Sequence, residues 1–308
     1  MKSPFQLSDA SSYSVWRKAK LSNYPINIGD LLVTITDSAH PSIDEIDQIK
    51  RITLKHNMAL YRFLDSKHRD KKAVHTLGRH IGLHKLDGNI CADEDRLTSI
   101  EVRENTRQHS YIPYSNYKLS WHTDGYYNSK EQQIKGMLLH CAQPALSGGE
   151  SLLMDTDIAY ILLRDENPDY IEALMQPDAM TIPANILEGK IIRAEQTGPV
   201  FSIGENGKLY MRYSARKKNI IWKDNNNTRQ AVAFLQNLWE SDSKYIIRYT
   251  LNAGEGLVCN NVLHCRTKFE DSDLKEEKRL LYRGRYLNLV DKPTDTQQTE
   301  QSKIQGLA

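Results

Sequence analysis

From residue 111 onward the chain changes texture, and this change limits its fold more than any other feature. Segments such as IKGMLLHCAQ, ESLLMD, GPVFSIG, KLYMRYS, YIIRYTLNAGEGLVCNN, VLHCRTKF and KRLLYRGRYLNLV follow one another. Each is short, rich in Leu, Ile, Val and Tyr, and closed by Gly, Asn or Pro, the pattern of β-strands. Helical patterns interrupt them at DTDIAYILLRDENPDYIEALM, where Pro168 opens a second part, and at NTRQAVAFLQNLWES, where Asn227 is the expected cap. No Gly-rich phosphate loop joins a strand to a helix, so a doubly wound nucleotide-binding fold is not expected. The expected class is mainly β with helical decorations (α+β), a sandwich or barrel.

Residues 1–110 read as a helical part of the same domain. The run SIDEIDQIKRITLKHNMALYRFL has Ser42 and Glu45 in capping-box spacing, with Ile43, Ile46, Ile49 and Ile52 as an apolar stripe. It is expected to continue as one helix to Leu64, with a shorter helix around AVHTLGRHIGLHKL. The expected domain is 1–290, with the β core at about 111–290 and a polar tail over 291–308.

The chain has 308 residues, with Lys+Arg 41 against Asp+Glu 39. That balance gives no electrostatic reason to expect nucleic acid or an anionic membrane as a partner. Cys91, Cys141, Cys259 and Cys265 form no C-x-x-C and are expected to be reduced packing residues. The first residues lack the apolar core of a signal peptide, and no apolar run reaches membrane-span length. A cytoplasmic protein is expected. Self-association into a homo-oligomer is left open.

Chemistry concentrates in WHTDGYYN. In an extended segment His122 and Asp124 point to the same side. Two histidines and one carboxylate on one face form the facial triad that holds iron(II) and leaves positions open. A decoy with the same spacing, His68 and Asp70, sits in the charge run DSKHRDKK and reads as a solvated surface. The third ligand has two candidates, because Leu-His-Cys occurs at 139–141 and at 263–265. His140 lies inside an apolar run, where a satisfied core histidine is the plainer reading. His264 follows a Gly- and Asn-rich turn and precedes a basic strand, and is preferred. On that strand Arg279 and Arg283 share a face with Leu281 between them. Two inward arginines require anions; the alternative is a surface strand whose arginines pair with Glu276 and Glu277. Tyr126 and Tyr127 are expected either to line the pocket or a lid, or to pack on a β surface. Arg212 and Arg266 are further candidates near the site.

Five stretches, WHTDGYYN, LLHCAQPALSGGESLLMD, MRYSARK, NNVLHCRTKF and RLLYRGRYL, stand in an order that resembles the taurine dioxygenase-type iron(II)/2-oxoglutarate oxygenases over roughly residues 115–290. The LLYRGRYL end looks closest to the glutarate hydroxylase branch, beside which stands γ-butyrobetaine hydroxylase. The resemblance implies a double-stranded β-helix, or jelly roll, with iron(II) held by His122, Asp124 and His264. It implies 2-oxoglutarate and O2 as cosubstrates, with Ser151 and Arg279 on 2-oxoglutarate and Arg283 on an anionic group of the substrate. Where the family often has Gly after the distal histidine, this chain has Cys265. The implied reaction is hydroxylation of a small anionic metabolite (carboxylate, dicarboxylate or amino acid) with release of succinate and CO2. A carboxylate at Asp124 leaves no vacancy for halide, which favours hydroxylation or desaturation over halogenation. The rival readings are a metal-containing jelly roll that binds a ligand without oxidising it, and a protein hydroxylase. No His-Glu-x-x-His or Ser-nucleophile elbow suggests hydrolysis.

Overall fold

The computed structural model describes residues 3–25, 27–65, 69–88, 93–102, 112–216 and 218–294. Ten strands make the two sheets that matter here. They are β1 (Leu32–Ile35), β2 (Met58–Phe63), β3 (Thr98–Ile100), β4 (Leu119–His122), β5 (Gly136–Gln143), β6 (Ser151–Met154), β7 (Ile247–Tyr249), β8 (Glu255–Cys259), β9 (Leu263–Arg266) and β10 (Leu280–Tyr286). One sheet runs β1-β2-β8-β5-β10-β3, the other β7-β6-β9-β4. Only β1 and β2 pair in parallel; the other neighbours in the two sheets are antiparallel.

Side-chain alternation sorts these strands into three apolar layers. Met137 and Cys141 of β5, Leu257 and Cys259 of β8, Leu281 of β10 and Leu153 of β6 share one core, which lies between the sheets. The opposite face of the larger sheet packs Leu138, Val258 and Tyr282 against α2 (Ile43–His56) and α3 (Lys71–His80). The opposite face of the smaller sheet packs Trp121, Leu152, Met154, Leu263 and Cys265 against α4 (Thr156–Glu166), α5 (Pro168–Leu174) and α6 (Asn226–Glu240). α1 (Ala10–Ser22) completes this outer layer, where Trp16 packs edge-on against Tyr160. Burying a large apolar side chain contributes about 1.5–3 kcal/mol, so this alternation fixes the register: a one-residue slip would exchange core and site residues.

The structure corrects three expectations. The helix from Ser42 has its capping box but ends at His56, where Asn57 takes a left-handed conformation (φ 58°). Met58–Phe63 then forms β2, buried on both faces, so its sequence shows no polar alternation to separate it from a buried helix. The first 110 residues are therefore not only helical: β1, β2 and β3 all belong to the larger sheet. The cap of α6 is Asn225, which accepts from the Thr228 amide, not Asn227. The Ile stripe of α2 buries Ile46 and Ile49 but leaves Ile43 exposed. Asp70 caps α3 by accepting from the Lys72 amide. His68, Cys91 and most of the expected tail lie outside the described residues. Among the described residues no helix is long and apolar enough to cross a membrane.

Candidate metal centre and its surroundings

His122 and His264 are direct cross-strand partners at the junction of β4 and β9. Directly opposed residues share a face, and the two rings stand 4.2 Å apart between centroids. β4 ends at His122, so Asp124 arrives by a turn rather than by continued extension. Gly125 permits that turn with φ +66°, and a Cβ there would sit 2.4 Å from Ile134 Cγ1. Asn261 holds the turn in place. Its Oδ1 accepts from the Asp124 amide at 2.7 Å, and its Nδ2 donates to the carbonyls of Asp124 (3.0 Å) and Ile134 (2.8 Å). Ligand atoms of His122, Asp124 and His264 thereby lie within 4.8 Å of one another, all three residues being buried or nearly so.

Both imidazoles are set the same way. His122 Nδ1 lies 2.9 Å from the Ser120 carbonyl and His264 Nδ1 lies 3.0 Å from the Val262 carbonyl. A carbonyl only accepts, so each Nδ1 carries the proton and each Nε2 keeps its lone pair. Burial, reinforced by His264, pushes the His122 pKa down to about 3 against the pull of Asp124. Burial also lowers that of His264. Both rings are neutral at pH 7, the state that binds metals. Burial alone would raise the Asp124 pKa, but Arg283, Arg285 and the two imidazoles reverse this and hold it well below the carboxylate range. Asp124 Oδ1 takes Arg283 Nη1 at 3.3 Å, while Oδ2 is buried without a hydrogen-bond partner. A buried carboxylate with one orphaned oxygen, its ligand atom within 4.8 Å of those of two neutral imidazoles, is a donor set suited to a divalent transition metal.

Ser151 and Arg279 line one cavity between the sheets, together with Cys141, Gly148, Gly149 and Leu281. Gly148 and Gly149 both have positive φ, and a Cβ on Gly148 would meet the Lys268 carbonyl at 2.4 Å. The Arg279 guanidinium is buried over the Phe269 ring at 4.8 Å and has no ion pair among the described residues. Burial lowers its pKa to about 10. Asp271, whose carboxylate accepts from the Arg279 amide, attracts this charge but forms no salt bridge with it; a buried charge so weakly answered costs several kcal/mol, order of magnitude, and marks a place for an anion.

The remaining candidates divide cleanly. His140 is buried, bonded to the Tyr61 hydroxyl at 3.0 Å and stacked near Tyr61 and Tyr282, on the core face away from the site. Cys265 packs in the outer core, whereas Cys141 also lines the Ser151–Arg279 cavity. Arg212 donates to the carbonyls of Met180, Gly198, Pro199, Gln196 and Tyr126, which makes it a clamp on the backbone. Arg266 donates to the carbonyls of Ser115 and Tyr117 and shares the Phe269 ring with Arg279. Two residues escaped the sequence reading. Asn261 stood in a stretch read only as a turn. Arg285 lies two positions past Arg283, on the same face by simple alternation, and reaches Asp87 and the Tyr127 hydroxyl.

A family profile described as taurine catabolism dioxygenase TauD, TfdA family matches residues 24–285. A curated uridine-5'-phosphate dioxygenase from an Amycolatopsis species is 32% identical over 176 residues, covering 54% of this chain and 60% of that protein. Among solved structures, an asparagine oxygenase in complex with Fe(II), 2S,3S-3-hydroxyasparagine and succinate superposes with TM-score 0.59 at 13% identity, covering 83% of this chain and 93% of that one. A taurine dioxygenase from Burkholderia xenovorans gives TM-score 0.53 at 18% identity, covering 83% of each chain.

Proposed function

We propose, from the premise that this chain belongs to the taurine catabolism dioxygenase TauD, TfdA family, that it is an iron(II)/2-oxoglutarate-dependent dioxygenase. In this reading it hydroxylates a small anionic metabolite and releases succinate and CO2. Residues 1–290 act as one catalytic domain, and the two facing sheets are the sides of a double-stranded β-helix.

One observation carries the reading: ligand atoms of His122, Asp124 and His264 lie within 4.8 Å of one another, and Asp124 there keeps one carboxylate oxygen, Oδ2, without a hydrogen-bond partner. His122, Asp124 and His264 would hold the iron. Iron(II), when bound, supplies oxygen activation at the positions three protein ligands leave open. The carbonyls of Ser120 and Val262 fix the ring tautomers, as outer partners of metal-bound histidines do. Asn261 fixes Asp124, and Arg283 keeps it ionised. Arg279 offers a bidentate partner to the distal carboxylate of 2-oxoglutarate, and the Ser151 hydroxyl offers a further hydrogen bond. The buried setting between two sheets keeps water from the reacting carbon.

The test begins without oxygen. Iron(II) with 2-oxoglutarate should give a weak visible charge-transfer band, absent from Asp124→Ala. Under air, succinate formation is then screened with glutarate, other short dicarboxylates and amino acids. The name of the curated relative adds a nucleoside phosphate to that screen. A chain that binds metal yet shows neither band nor succinate is a non-oxidative binder; turnover with proteins alone makes it a protein hydroxylase.

A further inference from the structure

Beside the candidate metal centre lies an aromatic and cationic rim that metal and 2-oxoglutarate leave unused. Tyr126 stands edge-on to His122 at 6.4 Å between centroids, and Tyr127 stands edge-on to Tyr126 at 5.2 Å. Three arginines reach this pair from separate segments. Arg285 Nη1 donates to the Tyr127 hydroxyl at 2.7 Å. Arg193 lies over the Tyr127 ring at 5.6 Å. Arg216 Nη1 donates to the Tyr126 hydroxyl at 3.4 Å.

The charges on this rim do not balance. Arg285 is answered by Asp87, and Arg283 behind it by Asp124. Arg193 and Arg216 meet no carboxylate among the described residues; Arg193 is held only by the carbonyls of Ala194 and Pro183. The rim is nevertheless built before any ligand arrives. Arg193 ends a hairpin formed by Asn185–Leu187 and Lys190–Arg193. The Arg212 clamp ties the backbone on either side of that hairpin, at Met180 and Gly198, to the carbonyl of Tyr126.

Arg193, half-buried, and Arg216, exposed, have no carboxylate partner among the described residues, and together they match the charge of a phosphate monoester, about −1.5 to −2 on one group at pH 7, where a dicarboxylate divides its two charges between its ends. Guanidinium also matches phosphate geometry bidentately, and tyrosine rings offer stacking faces to a planar base. We propose that this rim is the substrate subsite and takes a nucleoside monophosphate, with the phosphate at Arg193 and Arg216 and the base on the Tyr126–Tyr127 pair. The inference rests on the dioxygenase reading and narrows its substrate class.

The test is anaerobic calorimetry on the whole chain, with and without Mn(II) and 2-oxoglutarate, using uridine 5'-phosphate, uridine and glutarate as probes. The nucleotide should bind at least about tenfold more tightly than either other probe. Arg193→Ala and Arg216→Ala should each weaken nucleotide binding by roughly ten- to a hundredfold, the range for a hydrogen bond to a charged group. Uridine binding and the iron(II)–2-oxoglutarate band should not change, and the lysine variants should recover part of the loss. Thermal melts check that both alanine variants are folded. Uridine bound as tightly as its phosphate, glutarate bound more tightly, or nucleotide binding indifferent to both arginines would each overturn the proposal. A missing band with arginine-dependent nucleotide binding intact would overturn the dioxygenase reading and leave the subsite standing.

Discussion

Replacing Asn261 tests whether the metal geometry is held from behind. Its side chain makes three hydrogen bonds to backbone groups of the Asp124 turn and Ile134. A net contribution of about 1 kcal/mol per bond gives a loss of about 3 kcal/mol, rising to about 6 if the buried partners stay unsatisfied. That is a large share of the roughly 5–15 kcal/mol typical of a folded domain. Asn261 also has φ +51°. Asn261→Gly removes the hydrogen bonds and keeps the conformation accessible, whereas Asn261→Ala adds about 1 kcal/mol of left-handed strain. The assay is urea unfolding of the three proteins, each with and without Mn(II). Both variants should lose stability, alanine more than glycine. The gain from Mn(II) should shrink as metal affinity falls about 10–100-fold, the usual effect of losing an outer partner. If Asn261→Gly stays within about 1 kcal/mol of the parent, or keeps the full Mn(II) gain, the turn is not held as argued.

Other perturbations separate the parts of the site. Arg279→Met should leave the unliganded chain as stable or about 1 kcal/mol more stable, since a buried unpaired charge is removed; thermal melts should show that it alone gains nothing from added 2-oxoglutarate. His140→Phe should cost about 1 kcal/mol for the Tyr61 hydrogen bond and leave Mn(II) affinity intact, whereas His264→Phe should abolish it; equal losses in a titration would mean the wrong Leu-His-Cys was chosen. Gly125→Ala should cost about 1–3 kcal/mol through overpacking and backbone strain, measured by denaturation. Part of that loss should return with Ile134→Ala, which removes the atom a Cβ would strike.

What could be read from the sequence followed spacing. His-x-Asp and Arg-x-x-x-Arg spell out local geometry, and the second Leu-His-Cys was separated from the first by its flanks. β2 stayed hidden because both its faces are buried, which erases the period-2 signal. Arg285 obeyed the same alternation as Arg283 and could have been found. Its partner Asp87 could not, because 198 residues separate the two along the chain. Arg212, a candidate near the site by its place in MRYS, is a backbone clamp; an arginine satisfied by carbonyls reads the same in sequence as one that meets a ligand. The hairpin carrying Arg193 offered no signal, because Ile186, Leu187, Ile191 and Ile192 are exposed and follow no core pattern.

β10 also governs how this protein can change length over evolution. Leu281, Arg283 and Arg285 alternate onto one face of β10, and Arg279 stands just ahead of it across a register shift between Leu280 and Leu281, so the Asp124 contact and the rim are gauged by one strand and the cavity by its start. An insertion within it would turn every later arginine into the outer core together. The stretch from Asp271 to Lys278 lies ahead of this strand and outside both sheets. A change of length there would move the distance in sequence from His264 to Arg279 without touching the spacing of Leu281, Arg283 and Arg285, which the strand pairing holds.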